Sequence, residues 1–304
     1  MGRTRLRGIE IAGIVLAVES PPGFQWNWPE QGLGELACAP SEPEVHIGVT
    51  VGEVVTPQGS PITYSFDGGT FDVDRVGGEW IVAVHGTRQP FERLARFDAD
   101  FTVGHVVVSP AAVQACAHPL AGPLLDLILI HRLIALGGLV LEGTAVIENG
   151  RALALIAGDA GAEQPADVPK SWRRIAAPGQ SFTPGSRFAL RIEDSRVRVH
   201  GLPGRRGAAA TALSGRLEAI HLIARSSQMF ADTVSGDDAA DILLEHVYAP
   251  VHDPDCTERL MTAAARVASR VPVMRLGMPE EQRVVPFAWG KRRAALGFAP
   301  PPVG

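Results

Sequence analysis

The chain is short of cysteine, of long apolar runs and of surplus positive charge, and each shortage removes a class of protein. Cys38, Cys116 and Cys256 are odd in number and isolated. They suggest neither a disulfide framework nor a zinc site, and they fit a reducing compartment. No stretch of the 304 residues reaches membrane-spanning length. The basic opening MGRTRLRG precedes Ile9–Val18, apolar apart from Glu10. That run is short, ends in Glu19-Ser20-Pro21-Pro22, and reads as a strand rather than a signal peptide. A cytoplasmic protein with no membrane partner is expected. A net charge of −5 and a pI near 6.0 leave no electrostatic footprint for nucleic acid. The serines lack a G-x-S-x-G context for a hydrolase nucleophile.

What is present is enough apolar material for a core. Hydrophobic residues make up 46% of the chain and charged residues 20%, and the length suits one large domain or two ordinary ones. Residues 1–108 are punctuated by Gly and Pro and read as a small antiparallel β domain. Its expected strands are Ile9–Val18, Val45–Val51, Ile62–Phe66, Thr70–Val76, Glu79–Val84 and Gly104–Val108. Turns are expected at Asp67-Gly68-Gly69 and Gly77-Gly78. The aromatic segment Gly23–Pro29, with Trp26 and Trp28, is a loop that either grips a ligand or plugs a sheet edge.

From His118 the pattern changes. Pro119–Leu136 is apolar on nearly every face and reads as a buried helix starting near Pro123 and ended by Gly137-Gly138. Within it His131 reads as a packed or surface histidine rather than a ligand. Leu139–Ile147 is β-rich, Glu148-Asn149-Gly150 is a turn, and Ala152–Ala157 is a buried strand. Phe188–Ile192 and Arg196–His200 form a hairpin around Glu193-Asp194. Helices are expected at about Leu213–Phe230, Gly236–Tyr248 and Asp255–Ser269, then a strand at Val271–Leu276. A domain over 109–285 and a Pro-rich tail over 286–304 complete the expected organisation, an α+β (mixed α/β) fold.

The loop after Ala157 carries the functional reading. A phosphate-binding loop needs G-x-x-x-x-G-K-[ST]: glycines for close backbone approach, Lys for the phosphates, a hydroxyl for magnesium. Here Gly158 holds the first position, Asp159 follows, and Gly161 is an extra glycine. Glu163, Gln164 and Pro165 stand where Gly, Lys and Ser/Thr belong. Losing the lysine removes a charge-assisted contact worth roughly 1.5–3 kcal/mol. Glu163 would set a negative charge beside a polyanion, and Pro165 removes a hydroxyl and a backbone donor together. The frame is kept without its working groups. The plainer alternative is a Gly/Ala/Asp turn between two elements.

The order of these features from about 118 to 276 resembles the HPr kinase/phosphorylase-like kinases, including shortened relatives encoded with ribosomally made, modified peptides. The segments that carry the resemblance are the buried helix, GGLVLEGTAV, ALALIAGDAGA, the strand pair ending in VHGLPG, LSGRLEAIHLIAR taken as a helix, and VPVMRL. The resemblance implies a kinase-like C-terminal domain behind a small β-rich N-terminal one. In active members it implies a strand histidine, a P-loop, and paired acids acting as base and metal ligand. Those positions fall here on Glu142, on the altered loop, and on Pro178 and Gly179. Three losses at once point to a pseudokinase with no catalytic residues, no cofactor and no metal, because phosphoryl transfer depends on positioned charge.

His246, His252 and Cys256 with Asp253 and Asp255 look like metal ligands at first sight. Asp-Pro there marks a turn and helix start, and three ligands at that spacing need a fourth. The expected function is binding of a precursor peptide and its presentation to peptide-modifying enzymes. Trp26, Trp28, Arg205 and Arg206 are the candidate peptide contacts, with a sheet edge or the cleft between the halves as the place. Alternatives are a divergent kinase using Glu142, Glu163 or Asp167, and a structural subunit of an enzyme complex. Members of the resembled family often assemble as oligomers, which leaves a homodimer open.

Overall fold

Paired turn residues fold the first 108 residues back on themselves. The computed structural model describes residues 5–25, 36–55, 59–66, 69–86, 92–114, 118–157, 173–174, 177–178, 186–202, 213–249 and 254–278. β1 (Arg5–Ile11) and β2 (Ile14–Ser20) join through Ala12-Gly13, where φ is +54° and +72°. Two central residues in the left-handed region make the primed turn whose twist matches that of the flanking strands. The expected single strand Ile9–Val18 is therefore a hairpin. Its continuous apolar run hid the turn, since Ala12 takes the left-handed conformation without being Gly or Asn.

The remaining strands of this sheet are β3 (Ala37–Cys38), β4 (Val45–Val51), β5 (Ile62–Phe66), β6 (Gly69–Val76), β7 (Glu79–Gly86), β8 (Arg93–Phe97) and β9 (Val103–Val108). Their order is β3-β1-β2-β4-β9-β8-β7-β6-β5, nine strands in all. The expected antiparallel sheet is in fact mixed, because β2–β4 and β4–β9 run parallel. Gly77-Gly78 closes β6 onto β7 as expected, with both φ values positive. In β6 Phe71 and Val73 are buried and Arg75 is exposed, a half-buried strand. The alternation predicts neither β3 nor β8; β8 interrupts its apolar positions with Arg93 and Arg96.

Two helices lead out of the sheet: α1 (Pro110–Gln114) and α2 (Pro123–Ala135). Pro123 opens α2 and Gly137, at φ +73°, follows its end, the usual placing of these two residues. Most of α2 is buried because both sheets pack on it. His131 stacks on Phe101 at 4.2 Å between ring centres and lies 5.1 Å from Trp80, both belonging to the first half. Asp126, one and a half turns away, meets Arg187 of the second sheet at 3.5 Å.

The second sheet holds β10 (Leu139–Glu142), β11 (Thr144–Glu148), β12 (Arg151–Ala157), β13 (Arg173–Arg174), β14 (Ala177–Pro178), β15 (Ser186–Glu193), β16 (Arg196–Gly201), β17 (Ser214–Arg225), β18 (Phe230–Thr233) and β19 (Val273–Met278). The β-rich run Leu139–Ile147 breaks at Gly143, where φ is +152°. Before the break β10 pairs with β15; after it β11 pairs with β12. A Cβ at Gly143 would meet the Leu155 carbonyl oxygen at 2.7 Å, so only glycine allows this change of partner. Asn149-Gly150 and Asp194-Ser195 close the β11–β12 and β15–β16 hairpins with positive φ throughout.

The expected helix over Leu213–Phe230 is instead the long strand β17, with β18 after a short break. β17 lies parallel to β12 on one side and parallel to β19 on the other, after a brief antiparallel start against β16. A parallel strand covered on both faces reads as an unbroken apolar run, which a helix-period reading takes for a buried helix. The segment LSGRLEAIHLIAR thus does not supply the helix that the family resemblance assumed. Two amphipathic helices cover the sheet, α3 (Gly236–Glu245) and α4 (Pro254–Ala268), close to their expected spans. The architecture is mixed α+β. No described helix is long and apolar enough to cross a membrane.

Candidate functional site

Two of the tight hairpins meet where the sheets face each other. Arg191, on β15, reaches the β1–β2 turn and donates from one guanidinium nitrogen to the carbonyls of Ala12 at 3.2 Å and Gly13 at 2.8 Å. A Cβ on Gly13 would stand 2.5 Å from that nitrogen, so the close approach needs glycine. Beside this clasp opens a cavity of about 360 Å³, walled by Glu10–Gly13 and Leu36–Cys38 on one side and by Glu193, Arg198 and His200 on the other. That volume is in the range of ordinary ligand sites.

The first wall is a sheet edge. β3 covers β1 only at Gly8 and Ile9, and the cavity begins at Glu10, where that cover ends among the described strands. The Cys38 carbonyl would lie 2.6 Å from a Cβ on Gly8, so β3 sits close against the β1 backbone there. Burial, helped by the Glu10 carboxylate, pushes the Cys38 thiol up, which keeps it protonated and a poor nucleophile at neutral pH.

The second wall is one face of the β15–β16 hairpin. Cross-strand register places Arg191 opposite Arg198 and Glu193 opposite Arg196. Strand alternation sends Leu190, Val197 and Val199 into the core and leaves a row of ionisable groups toward the cleft. Glu193 lies 3.4 Å from Arg198, 3.9 Å from Arg191 and 3.2 Å from His200 Nε2. Burial lowers the His200 pKa against the pull of Glu193, with Arg198 and Arg191 adding to the fall, so the ring is neutral at neutral pH. Arg198 also donates to Ser214 Oγ at 2.7 Å, which fixes its head group at the start of β17. A neighbouring cavity of about 380 Å³ shares Glu193 and Arg198 and adds Asp194, Arg196 and Arg216.

A second ionisable cluster is architectural. The Arg187 guanidinium lies 3.9 Å over the Tyr248 ring and 3.5 Å from Asp126. Burial drives the Tyr248 phenol well above its ordinary value. The Tyr248 N–H donates to the Val140 carbonyl at 2.8 Å, and Glu142 N–H to that of His246 at 3.0 Å, tying this segment to β10. Glu142 itself is exposed at the end of β10, opposite Arg187 in register. His131 is packed, and Cys256 Sγ lies 3.5 Å from its Nδ1.

The sequence-predicted site residues fall elsewhere. Gly158, Asp159, Gly161, Glu163, Gln164 and Pro165 lie outside the described residues, as do Trp26, Trp28, Arg205 and Arg206. So do Cys116, Asp167, Gly179, His252 and Asp253, while Pro178 stands in the two-residue β14. Among the described residues no group of three His, Cys, Asp or Glu side chains is placed to hold a metal ion. Sequence reasoning passed over Arg191, Glu193, Arg198 and His200, seeing only a hairpin. The signal was an ionisable residue at every second position on both strands, facing one side. No family model matches the chain, and no curated protein matches it either.

Proposed function

We propose that the chain is a kinase-like protein without phosphoryl-transfer activity, which binds a peptide in the cleft and presents it to partner enzymes. A ribosomally made precursor peptide is the ligand this reading favours. The observation that carries it is the β1 edge: among the described residues its cover by β3 stops after Ile9, and the cavity opens at Glu10. An extended chain adding to that edge would take its affinity from main-chain hydrogen bonds and its selectivity from the β15–β16 wall. The lost phosphate groups at Glu163, Gln164 and Pro165 support a binding rather than a catalytic role. The position of those residues in the sequence, directly after the buried strand β12, fits the resemblance to the HPr kinase-like proteins.

Two titrations test this. Calorimetry with magnesium–ATP is expected to give no heat up to millimolar nucleotide; tight magnesium-dependent binding, followed by a phosphorylated product, would overturn the non-catalytic reading. Selection from a random peptide library is expected to yield binders that are lost on Ala37→Trp, because Ala37 is exposed on the cavity wall. Binders unaffected by that substitution would remove the cleft as the site.

A further inference from the structure

The hairpin wall carries more positive charge than it neutralises. Glu193 is shared by Arg191 and Arg198, and the buried Glu218 by Arg151 and Arg216 at 3.2 and 3.5 Å. Arg196 is exposed and makes no ion pair among the described residues. The 380 Å³ cavity that continues from the cleft is lined by three guanidiniums, Arg196, Arg198 and Arg216, against two carboxylates, Glu193 and Asp194, in a chain whose net charge is −5. The neutral His200 adds no charge to this balance.

The residue type matters as much as the sign. Lys170 and Lys291 are the chain's only lysines, and every cation at this wall is arginine. A guanidinium presents a planar fork of donors that fits a carboxylate with two parallel hydrogen bonds. Arg198 is already held in place by Ser214 Oγ and Arg216 by the buried Glu218, so little order is lost there when an acid arrives.

We propose that this cavity is a carboxylate-binding subsite, and that the peptide taken by the cleft carries an acidic segment seated on Arg196, Arg198 and Arg216. The proposal rests on the cleft being a peptide site and adds the charge of the peptide. Acidic side chains on an extended peptide are favoured over a nucleic-acid backbone, because the β1 edge at the adjoining cavity offers main-chain hydrogen bonds that a peptide can take. An acidic segment needs only a few carboxylates aligned with the hairpin.

Fluorescence anisotropy of the full chain with labelled octaglutamate, and with octaglutamine as control, tests this. Octaglutamate is expected to bind, octaglutamine at least about tenfold more weakly, and the Arg196→Ala/Arg216→Ala double variant to weaken octaglutamate by about tenfold or more. The exposed Arg225→Ala, on the far end of β17, is the control expected to leave binding unchanged. An unfolding midpoint for each variant separates lost binding from lost structure. Equal binding of the two peptides, or no effect of the double variant in a folded protein, overturns the proposal. Displacement of octaglutamate by micromolar inorganic phosphate would make the site one for a small free anion and overturn the peptide assignment. Tighter binding of oligothymidylate with the same variant sensitivity would overturn it in favour of nucleic acid. Library-selected peptides that need an open Ala37 but ignore the arginines leave the cleft reading standing and remove the acidic preference; if no peptide binds at all, both fall.

Discussion

Acid should unfold this protein partly through one buried histidine. His118 is 4% exposed and its Nδ1 accepts a hydrogen bond from the Leu120 N–H at 3.1 Å. Burial, with Arg93 and Arg7 nearby, lowers its pKa from 6.5 to about 3. Between those values the unfolded chain binds the proton and the folded one does not, so stability rises with pH through that window and falls as pH drops below 6.5. One pKa unit is about 1.4 kcal/mol, so the full effect is about 5 kcal/mol, with about 2 kcal/mol already lost on going from pH 7 to 5. His118→Asn keeps an acceptor at the Nδ1 position and removes the titration. Urea unfolding of both proteins at pH 7 and 5 should show the wild type losing about 2 kcal/mol more than the variant. All other groups are common to both proteins and cancel in the difference. Parallel losses in the two would refute the assignment, as would an NMR titration placing His118 near the ordinary imidazole value.

Three further outcomes follow from packing and backbone geometry. Ile220→Ala, in the fully buried centre of β17, should cost about 2–5 kcal/mol in denaturant unfolding, with the loss felt through the whole second sheet. Gly143→Ala should be destabilising by about 1–3 kcal/mol or more, because its φ of +152° and the Leu155 carbonyl 2.7 Å away both exclude a side chain; an unchanged unfolding midpoint would contradict it. Arg191→Ala removes two hydrogen bonds from a charged donor, about 1.5–3 kcal/mol each, and should raise hydrogen exchange in the β1–β2 hairpin before it affects β17.

Much of the secondary structure was legible because local rules decided it. Gly77-Gly78 and Asn149-Gly150 mark their hairpins with residues that tolerate positive φ, and Pro123 and Gly137 bracket α2. Elements decided by tertiary neighbours were not legible. β17 is buried at every position from Leu217 to Ile223, Glu218 and His221 included, and such a run has no period to separate strand from helix. The run Leu139–Ile147 looks uniform, yet its two halves serve different strands, and only the space at Gly143 reveals why. The candidate site was hidden for a related reason. Its groups come from β1, β3 and β15–β17, and no local motif joins Glu10 to Arg198. The alternation of Arg191 and Glu193 with Arg196, Arg198 and His200 was the one local trace.

The position of β17 also bears on the order in which the chain can fold during synthesis. All nine strands of the first sheet have been made by Val108; its hairpins close over short separations, and β4 waits for β9, pairing from His46 to Val103. The second sheet waits longer. β12 must wait for β17, whose register partners lie some sixty-five residues later, and β17 in turn waits for β19 at the end of the described chain. Closing such long loops is slow compared with forming hairpins. β12, with its apolar side chains and unpaired edge, therefore spends the longest time exposed, and a slowly translating ribosome would lengthen its risk of aggregation.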